Sequence, residues 1–472
     1  MPAEPRANDE FMTDEEPAAH VFDSDRRSLT LGILLTVTSF AVEGMGVVPA
    51  LPTAVRELGG LSLFGWAFSA FMLAWLVGTV GGGLLADAHG PQRSMAIGLL
   101  GFGAGLMLAG WAAGMEQFLA GRALQGAGGG AMIAAAYVAI ARAYPDHLRP
   151  RMMALTASVW ILPAVLGPAL SGAIAERVGW RFVFLGIVPL LIVVAVVVLP
   201  QLAPFAVKRP IGGMGRMISA LRTAVGAGLL LAAPSLYPRV AAVAVSLLVG
   251  AVLLVPGLRA LLPAGTFRAS PGLPAGLAVR GLLAFSFFGT EAFVPLGSGE
   301  LRGVAPTQAG LALTAGAVGW VSAAWLQDRL EAQKGAAGRA MIVGIGFLVL
   351  AAGIGIVSTA LLTSLPFLLV PFGWAVAGTG IGLAYSAGGL VCIAAAREGK
   401  EGQVSAQLQL AEALSTAAGA GFGGALLASL ARIGATPREA HGAVFGVTLA
   451  AAVIGMVASR RLAPRGLPPA AV

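Results

Sequence analysis

The chain is poor in the residues that catalysis and cofactor binding use. Its 472 residues include one cysteine, Cys392, so no internal disulfide forms, and a lone thiol in an apolar stretch reads as packing. The four histidines, His20, His89, His147 and His441, fall outside the long apolar runs and do not cluster, which argues against a zinc or haem site. No GxxxxGK followed by Ser or Thr occurs, so the chain carries no ATP-cradling loop of its own. No His, Asp or Cys constellation stands at catalytic spacing, and neither an enzyme activity nor a cofactor or metal is expected. Charge is scarce as well: 11% of residues are Asp, Glu, Lys or Arg, against about a quarter in soluble domains. Aromatic strand alternation is missing, which excludes a membrane barrel.

Apolar residues fill the chain instead, at 57% of the sequence and a mean hydropathy of +0.85. Repeated runs long enough to cross a bilayer make this an all-α polytopic membrane protein. Residues 1–28 are polar and acid-rich and are expected to form a disordered tail. They lack the basic start and small-residue cleavage site of a signal peptide, so the first apolar run is expected to stay. Spans are expected at 29–52, 63–86, 94–113, 117–141, 151–175 and 181–200. Two weaker runs follow at 219–236 and 239–258, the first interrupted by Arg222 and Pro234. Six more come at 274–296, 307–327, 339–361, 365–395, 403–431 and 440–459. The expected organisation is therefore a six-helix bundle over 29–200, a linker with two helices over 201–273, a second bundle over 274–459 and a tail at 460–472.

The net charge of +8 does not call for a nucleic acid. With the N-terminus placed in the cytoplasm, 21 Lys and Arg fall on that side, including Arg93, Arg142, Lys208, Arg209, Lys334 and Arg339, and 7 on the other, which leaves Arg122 and Arg280 within spans. This positive-inside bias puts both termini in the cytoplasm. Arginine in place of lysine, with abundant Ala and Gly, suggests a GC-rich bacterial genome, and so a bacterial cytoplasmic membrane.

The two halves echo each other. "GGGLLADAHGPQRSM" follows the second span and "AWLQDRLEAQKGAAGRAM" follows the run at 307–327; each sets an Asp, Asp87 or Asp328, at a helix end before basic residues. "VEGMGVVP" and "TEAFVP" each place a Glu deep in a span ahead of a Pro. Related halves are a transporter signature, with the substrate site between them.

Three motifs give the chain a family resemblance. "GGGLLADAHGPQRSM", with Gly83, Asp87, Gly90 and Arg93, resembles the cytoplasmic loop motif of the major facilitator superfamily. "LAGRALQGAGGGAM", with Arg122, Gln125 and Gly126, is similar to that family's fourth-span motif, and "PAVLGPALSGAIA", with Gly167, Pro168 and Gly172, to its antiporter motif. The match runs from about residue 29 to 459 and points to the proton-coupled multidrug antiporter branch with two extra central helices. It implies the major facilitator fold, alternating access, and proton-driven export of hydrophobic cations by a monomer among membrane lipids. Pro163 and Ser171 stand where glycines are usual, a departure that leaves a solute–proton symporter open. Asp87, Gly90, Arg93 and Asp328 are expected to latch a cytoplasmic gate. Gly126, Gly167, Pro168 and Gly172 are expected to let helices approach or bend.

Five ionisable residues lie inside spans: Glu43, Arg122, Arg280, Glu291 and Glu412. A charge in hydrocarbon costs about 2.5–3.5 kcal/mol on insertion scales, so such groups face the protein interior and mark function. Arg122 and Arg280 lie near span ends, within snorkelling reach of the interface; the carboxylates are deeper. We expect Glu43 to carry the coupling proton beside Arg122, with Glu291 and Glu412 as further candidates. Burial disfavours a carboxylate anion and a neighbouring guanidinium favours it, so moving the two apart switches proton affinity. Glu291, Gln125, Tyr137, Trp374, Tyr385, Gln407 and Gln409 are expected to line a cavity suited to an amphipathic cation. The same fold and carboxylates would serve a lipid or lipid-linked exporter. A receptor would need a soluble module, and the loops and tails are short.

Overall fold

The computed structural model describes residues 20–207, 210, 212–335, 338–398 and 400–462. The acidic residues up to 19, the loop basics Lys208 and Arg209, and the residues from 463 onward lie outside them. Fourteen helices are long and apolar enough to span a membrane. They are α1 (Arg27–Leu58), α2 (Leu61–His89), α3 (Pro91–Gly110), α4 (Met115–Ala143), α5 (Arg149–Gly179), α6 (Arg181–Phe205), α7 (Met214–Leu236), α8 (Val240–Leu261), α9 (Leu273–Arg302), α10 (Pro306–Gln333), α11 (Arg339–Leu362), α12 (Leu369–Ala394), α13 (Glu401–Arg432) and α14 (Pro437–Leu462). No strand occurs among the described residues. A helix satisfies its own backbone polar groups, which a lipid environment requires.

Start signals are local. Pro91, Pro306 and Pro437 open α3, α10 and α14, where a missing N–H costs nothing. Thr436 and Glu439 close a capping box at α14. Two expectations about the tails change. Residues 20–28 are ordered: α1 begins at Arg27, and Val21 is buried, with its carbonyl accepting a hydrogen bond of 2.5 Å from the Thr30 hydroxyl. At the other end Arg460–Leu462 continues α14, with Leu462 buried. The central pair is of full length, α7 and α8 packing on each other through Gly226, Gly250 and Gly257.

The halves share one packing plan. In the first, α2 and α3 pack on α4, and α1 packs on α5 and α6; in the second, α10 and α11 pack on α12, and α9 packs on α13 and α14. The halves meet along two equivalent seams, α2 with α13 and α5 with α10. The α7–α8 hairpin lies against α2 and α13, over the first of these.

The closest approach between the halves is on the side facing away from the termini. A methyl on Gly65 would sit 2.3 Å from the Ala420 carbonyl oxygen, on Gly172 2.4 Å from that of Pro306, and on Gly310 2.2 Å from that of Pro168. Glu176 accepts from both the backbone N–H (3.2 Å) and the hydroxyl (2.5 Å) of Thr307. Ser69 donates to the Ala417 carbonyl at 2.7 Å, and the Phe64 and Phe293 rings meet at 5.4 Å. The molecule is closed at the face opposite its termini.

Candidate functional site around a central cavity

A cavity of about 340 Å³ lies between the halves, on the termini side of this closure. Aromatic side chains dominate its wall: Phe40, Phe68, Phe71, Trp75, Tyr137, Trp160, Phe288 and Tyr385. Its ionisable members are Arg122, Glu291 and Glu412, with Gln409 beside them.

Glu43 and Arg122 form a buried ion pair between α1 and α4. Arg122 is 3% exposed and Glu43 fully buried. One guanidinium nitrogen, Nη1, donates to Oε1 of Glu43 and to Oε1 of Gln125 at 2.6 Å; Nε donates to the Ala67 carbonyl at 3.0 Å. The guanidinium also lies over the Phe71 ring, 4.3 Å from its centroid. Arg122 therefore binds inward rather than snorkelling. Oε2 of Glu43 has no hydrogen-bond partner, which leaves one buried carboxylate oxygen unsatisfied.

The glycines after Arg122 set this geometry, but not through α1 alone. Methyls on Gly126 and Gly130 would meet the α2 carbonyls of Phe71 and Trp75 at 2.1 and 2.4 Å, and one on Gly128 would meet the Phe102 amide of α3 at 2.2 Å. Gly129 is the member that faces α1, at the Phe40 ring. The glycines thus seat α2 and α3 on α4, which holds Arg122 at the cavity wall.

The second half repeats this pattern with one change. "GRALQGAGGG" at 121–130 matches "GWAVAGTGIG" at 373–382 in glycine register. Gly378, Gly380 and Gly382 press on Gly316, Leu350 and Trp320 as Gly126, Gly128 and Gly130 press on α2 and α3. In this register Trp374 holds the place of Arg122. It is fully buried and stacks on Phe287, with centroids 4.7 Å apart. Trp374 is therefore packed inside the second bundle and does not line the cavity as expected.

Glu291 has no hydrogen-bond or ion-pair partner among the described residues. It ends the first segment of α9, where two turn residues interrupt the helix before Val294. Pro295 lies four residues on and has no N–H to offer the Glu291 carbonyl. The break sets a carboxylate and a free carbonyl together at the cavity.

Glu412 belongs to a different cluster from Glu43. Tyr385 donates to it at 2.9 Å, Arg280 stands 3.9 Å away, and the Arg280 guanidinium covers the Tyr385 ring at 3.5 Å. Arg280, expected near a headgroup, is 8% exposed and turned into the bundle. Gln125 and Gln407 leave the cavity set: Gln125 is buried against Arg122, and Gln407 donates to the Leu261 carbonyl of α8 at 3.3 Å.

At the termini face the expected gate residues are not joined. Asp87 lies 3.9 Å from Arg142, which also donates to the Asp87 carbonyl at 3.3 Å. Arg93 and Asp328 are exposed, without partners among the described residues. In the second half the ion pair is Glu331 with Arg339. Gly90 adopts φ +90°, and a methyl there would lie 2.6 Å from the Phe205 carbonyl oxygen; Gly83 borders open space. Pro168 and Gly172 lie in the α5–α10 seam, while Gly167 faces Met45 of α1, where a methyl would lie 3.2 Å from Cβ. Ser171 donates to the Gly46 carbonyl of α1, a bond that the glycine usual in this motif would lack. Arg142, Phe71, Glu176 and Thr307 were not singled out from sequence; the signal for Trp374 was present in the repeated glycine register.

Comparison with known proteins agrees with this architecture. The Major Facilitator Superfamily profile matches residues 29–420. "Multidrug resistance protein 3" of Bacillus subtilis is 34% identical over 162 residues, 34% of this chain and 32% of that protein, so the match spans about a third of that relative. A "Probable multidrug-efflux transporter" of Mycobacterium tuberculosis is 26% identical over 444 residues, 90% of this chain and 92% of that protein. Among solved structures, a bacterial homolog of the human lysosomal transporter Spinster, in an inward-facing and unoccupied conformation, superposes with a TM-score of 0.67 at 15% identity. It covers 95% of this chain and 100% of that one, a likeness of fold.

Proposed function

The chain belongs to the Major Facilitator Superfamily, and we propose that it exports hydrophobic, cationic compounds in exchange for protons. It is a multi-pass transporter rather than an enzyme, and its relatives include proteins named for multidrug efflux. Both termini lie in the cytoplasm by the charge bias of the loops. The closed face is then the outer one, and the cavity belongs to an inward-facing state that loads substrate from the cytoplasm or the inner leaflet.

One observation carries this reading: the deep carboxylates of the two halves are treated differently. Glu43 has an arginine, while Glu291 at the cavity has none, and Trp374 stands in the second half at the place of Arg122. A lone carboxylate in an aromatic wall suits a cationic, apolar substrate, which gains from charge and from ring faces. The paired carboxylate suits a proton, since its affinity depends on how near Arg122 stays. Both lie in the first half, so a shift of α1 against α4 within that half during the cycle changes that distance, and coupling needs no nucleotide.

The test uses purified protein in liposomes with an imposed pH gradient, following a fluorescent cationic dye and internal pH together. Dye moving against proton flux, with dye movement weakened in Glu291→Gln, is the expected result. Dye and protons moving in the same direction would make the protein a symporter. No dye movement under any gradient, with a labelled lipid transferred instead, would replace the reading by lipid export.

A further inference from the structure

A titratable cluster at the face opposite the termini takes no part in the cavity chemistry. His441, on the second turn of α14, has a fully buried side chain. Its Nδ1 lies 3.0 Å from the Pro437 carbonyl oxygen, which can only accept, so Nδ1 carries the proton of the neutral ring. Nε2 then presents a lone pair. It has no hydrogen-bond partner and faces Oε2 of Glu300 on α9 at 3.7 Å. A lone pair facing a carboxylate oxygen is a place for one proton. Glu300 is 21% exposed, so solvent at this face reaches it.

The cluster spans the two halves. Arg56 comes from α1 and lies over the Glu300 segment; a methyl on Gly299 would stand 3.2 Å from its Nη1. Its charge acts on Glu300, and its own hydrogen-bond contact is the Thr53 hydroxyl at 3.5 Å. The Phe64–Phe293 contact lies on this same side of the molecule. No competing charge faces the His441 ring from the packed elements among the described residues. Arg302 of α9 turns to the carbonyls at the end of α11, and α11 itself offers Leu361 and Leu362. Arg432 of α13 donates to the Pro234 carbonyl, Glu439 is held by Thr436, and Arg438 is exposed. The nearest polar contact of α9 with α14 beyond Glu300 is neutral, Thr290 to Thr448.

We propose that His441 and Glu300 form a proton-binding site at the face opposite the termini, and that filling it frees Arg56 and loosens the closed seam. A proton on Nε2 makes an imidazolium that draws Glu300 to itself and sets a like charge near Arg56. A proton on Glu300 removes the charge that Arg56 faces. Both additions act in one direction, and release returns the proton to solvent on that side. The inference uses the proposed function only in taking this face as the source of the driving protons; its test needs no substrate.

Spin labels at Arg177→Cys and Ser364→Cys, exposed residues of opposite halves on this face, report the seam by pulsed dipolar distances in a Cys392→Ser background. Acidification is expected to raise the long-distance population in otherwise unaltered protein. His441→Gln should keep the short distance at neutral pH, which also shows that it folds, and should open only at more acidic pH than the parent, because Glu300 is then the one group of the pair left to take the proton. Glu300→Gln should show the long distance at every pH. A His441→Gln protein that opens with acid as the parent does overturns the proposal. So does a response that Glu43→Gln removes and both His441→Gln and Glu300→Gln leave intact.

Discussion

Trp374 stands in the second half of the chain where Arg122 stands in the first. The glycines after each press on the corresponding helices of its half in the same register; Arg122 lies against Phe71 of α2 and Trp374 against Phe287 of α9. The halves are also unlike in their deep carboxylates: Glu43 is paired and Glu291 is free. A symmetric scaffold thereby obtains two carboxylates with separate tasks, which an exchanger of unlike ions requires.

Glu291→Gln removes the free charge and keeps the shape. Losing a charge-assisted contact costs about 1.5–3 kcal/mol, so the half-saturating concentration of a cationic dye should rise roughly ten- to a hundredfold. A neutral analogue of the dye should bind as before. Titrating both by fluorescence anisotropy checks this, and equal weakening of the two would remove Glu291 from substrate recognition.

Removing Arg122 alone strands the buried Glu43 carboxylate without its partner. Breaking a buried pair on one side costs about 3–5 kcal/mol, so Arg122→Ala should lower the melting temperature and the yield of monodisperse protein. Adding Glu43→Gln to it should restore much of the stability without restoring proton coupling. Thermal melts of the single and double variants in detergent decide the point.

Gly126 and Gly83 predict opposite outcomes for one substitution. A methyl at Gly126 would overlap the Phe71 carbonyl, 2.1 Å away, whereas Gly83 has nothing within 4 Å. Gly126→Ala should push α2 off α4 and displace Arg122. Gly83→Ala should be neutral or gain up to about 1 kcal/mol from helix propensity. Comparing their melts with transport rates separates packing from gating.

Locking the α5–α10 seam should arrest the cycle with the cavity open to the termini side. Glu176→Cys with Thr307→Cys in the Cys392→Ser background places two thiols where one hydrogen-bonded pair now spans the halves. A short bismaleimide should cross-link them and stop transport, while dye binding from the termini side persists. Undiminished transport after full cross-linking would show that this seam does not open.

The sequence carried the span count, the echo between halves and the deep carboxylates, because length, hydropathy and spacing report depth in a membrane directly. It was less clear about facing. The direction a side chain takes around a helix axis is set by neighbours distant in the chain, so Glu43 and Arg122, 79 positions apart, were joined by reasoning about charge, while Arg280 and Glu412 were not. Trp374 read as a cavity aromatic because composition does not separate a ring lining a void from one filling it. The Glu176–Thr307 and His441–Glu300 contacts escaped for another reason: both lie at span ends, where polar residues are ordinary.

The central claim is that the Glu43–Arg122 pair couples protons to the conformational cycle. Liposomes containing Glu43→Gln protein separate two activities: exchange of labelled for unlabelled dye at equal pH, and uphill dye movement driven by a pH gradient. The account predicts that exchange survives, because the cavity and Glu291 are untouched, and that gradient-driven accumulation disappears. Gradient-driven accumulation at the rate of the unaltered protein would contradict it.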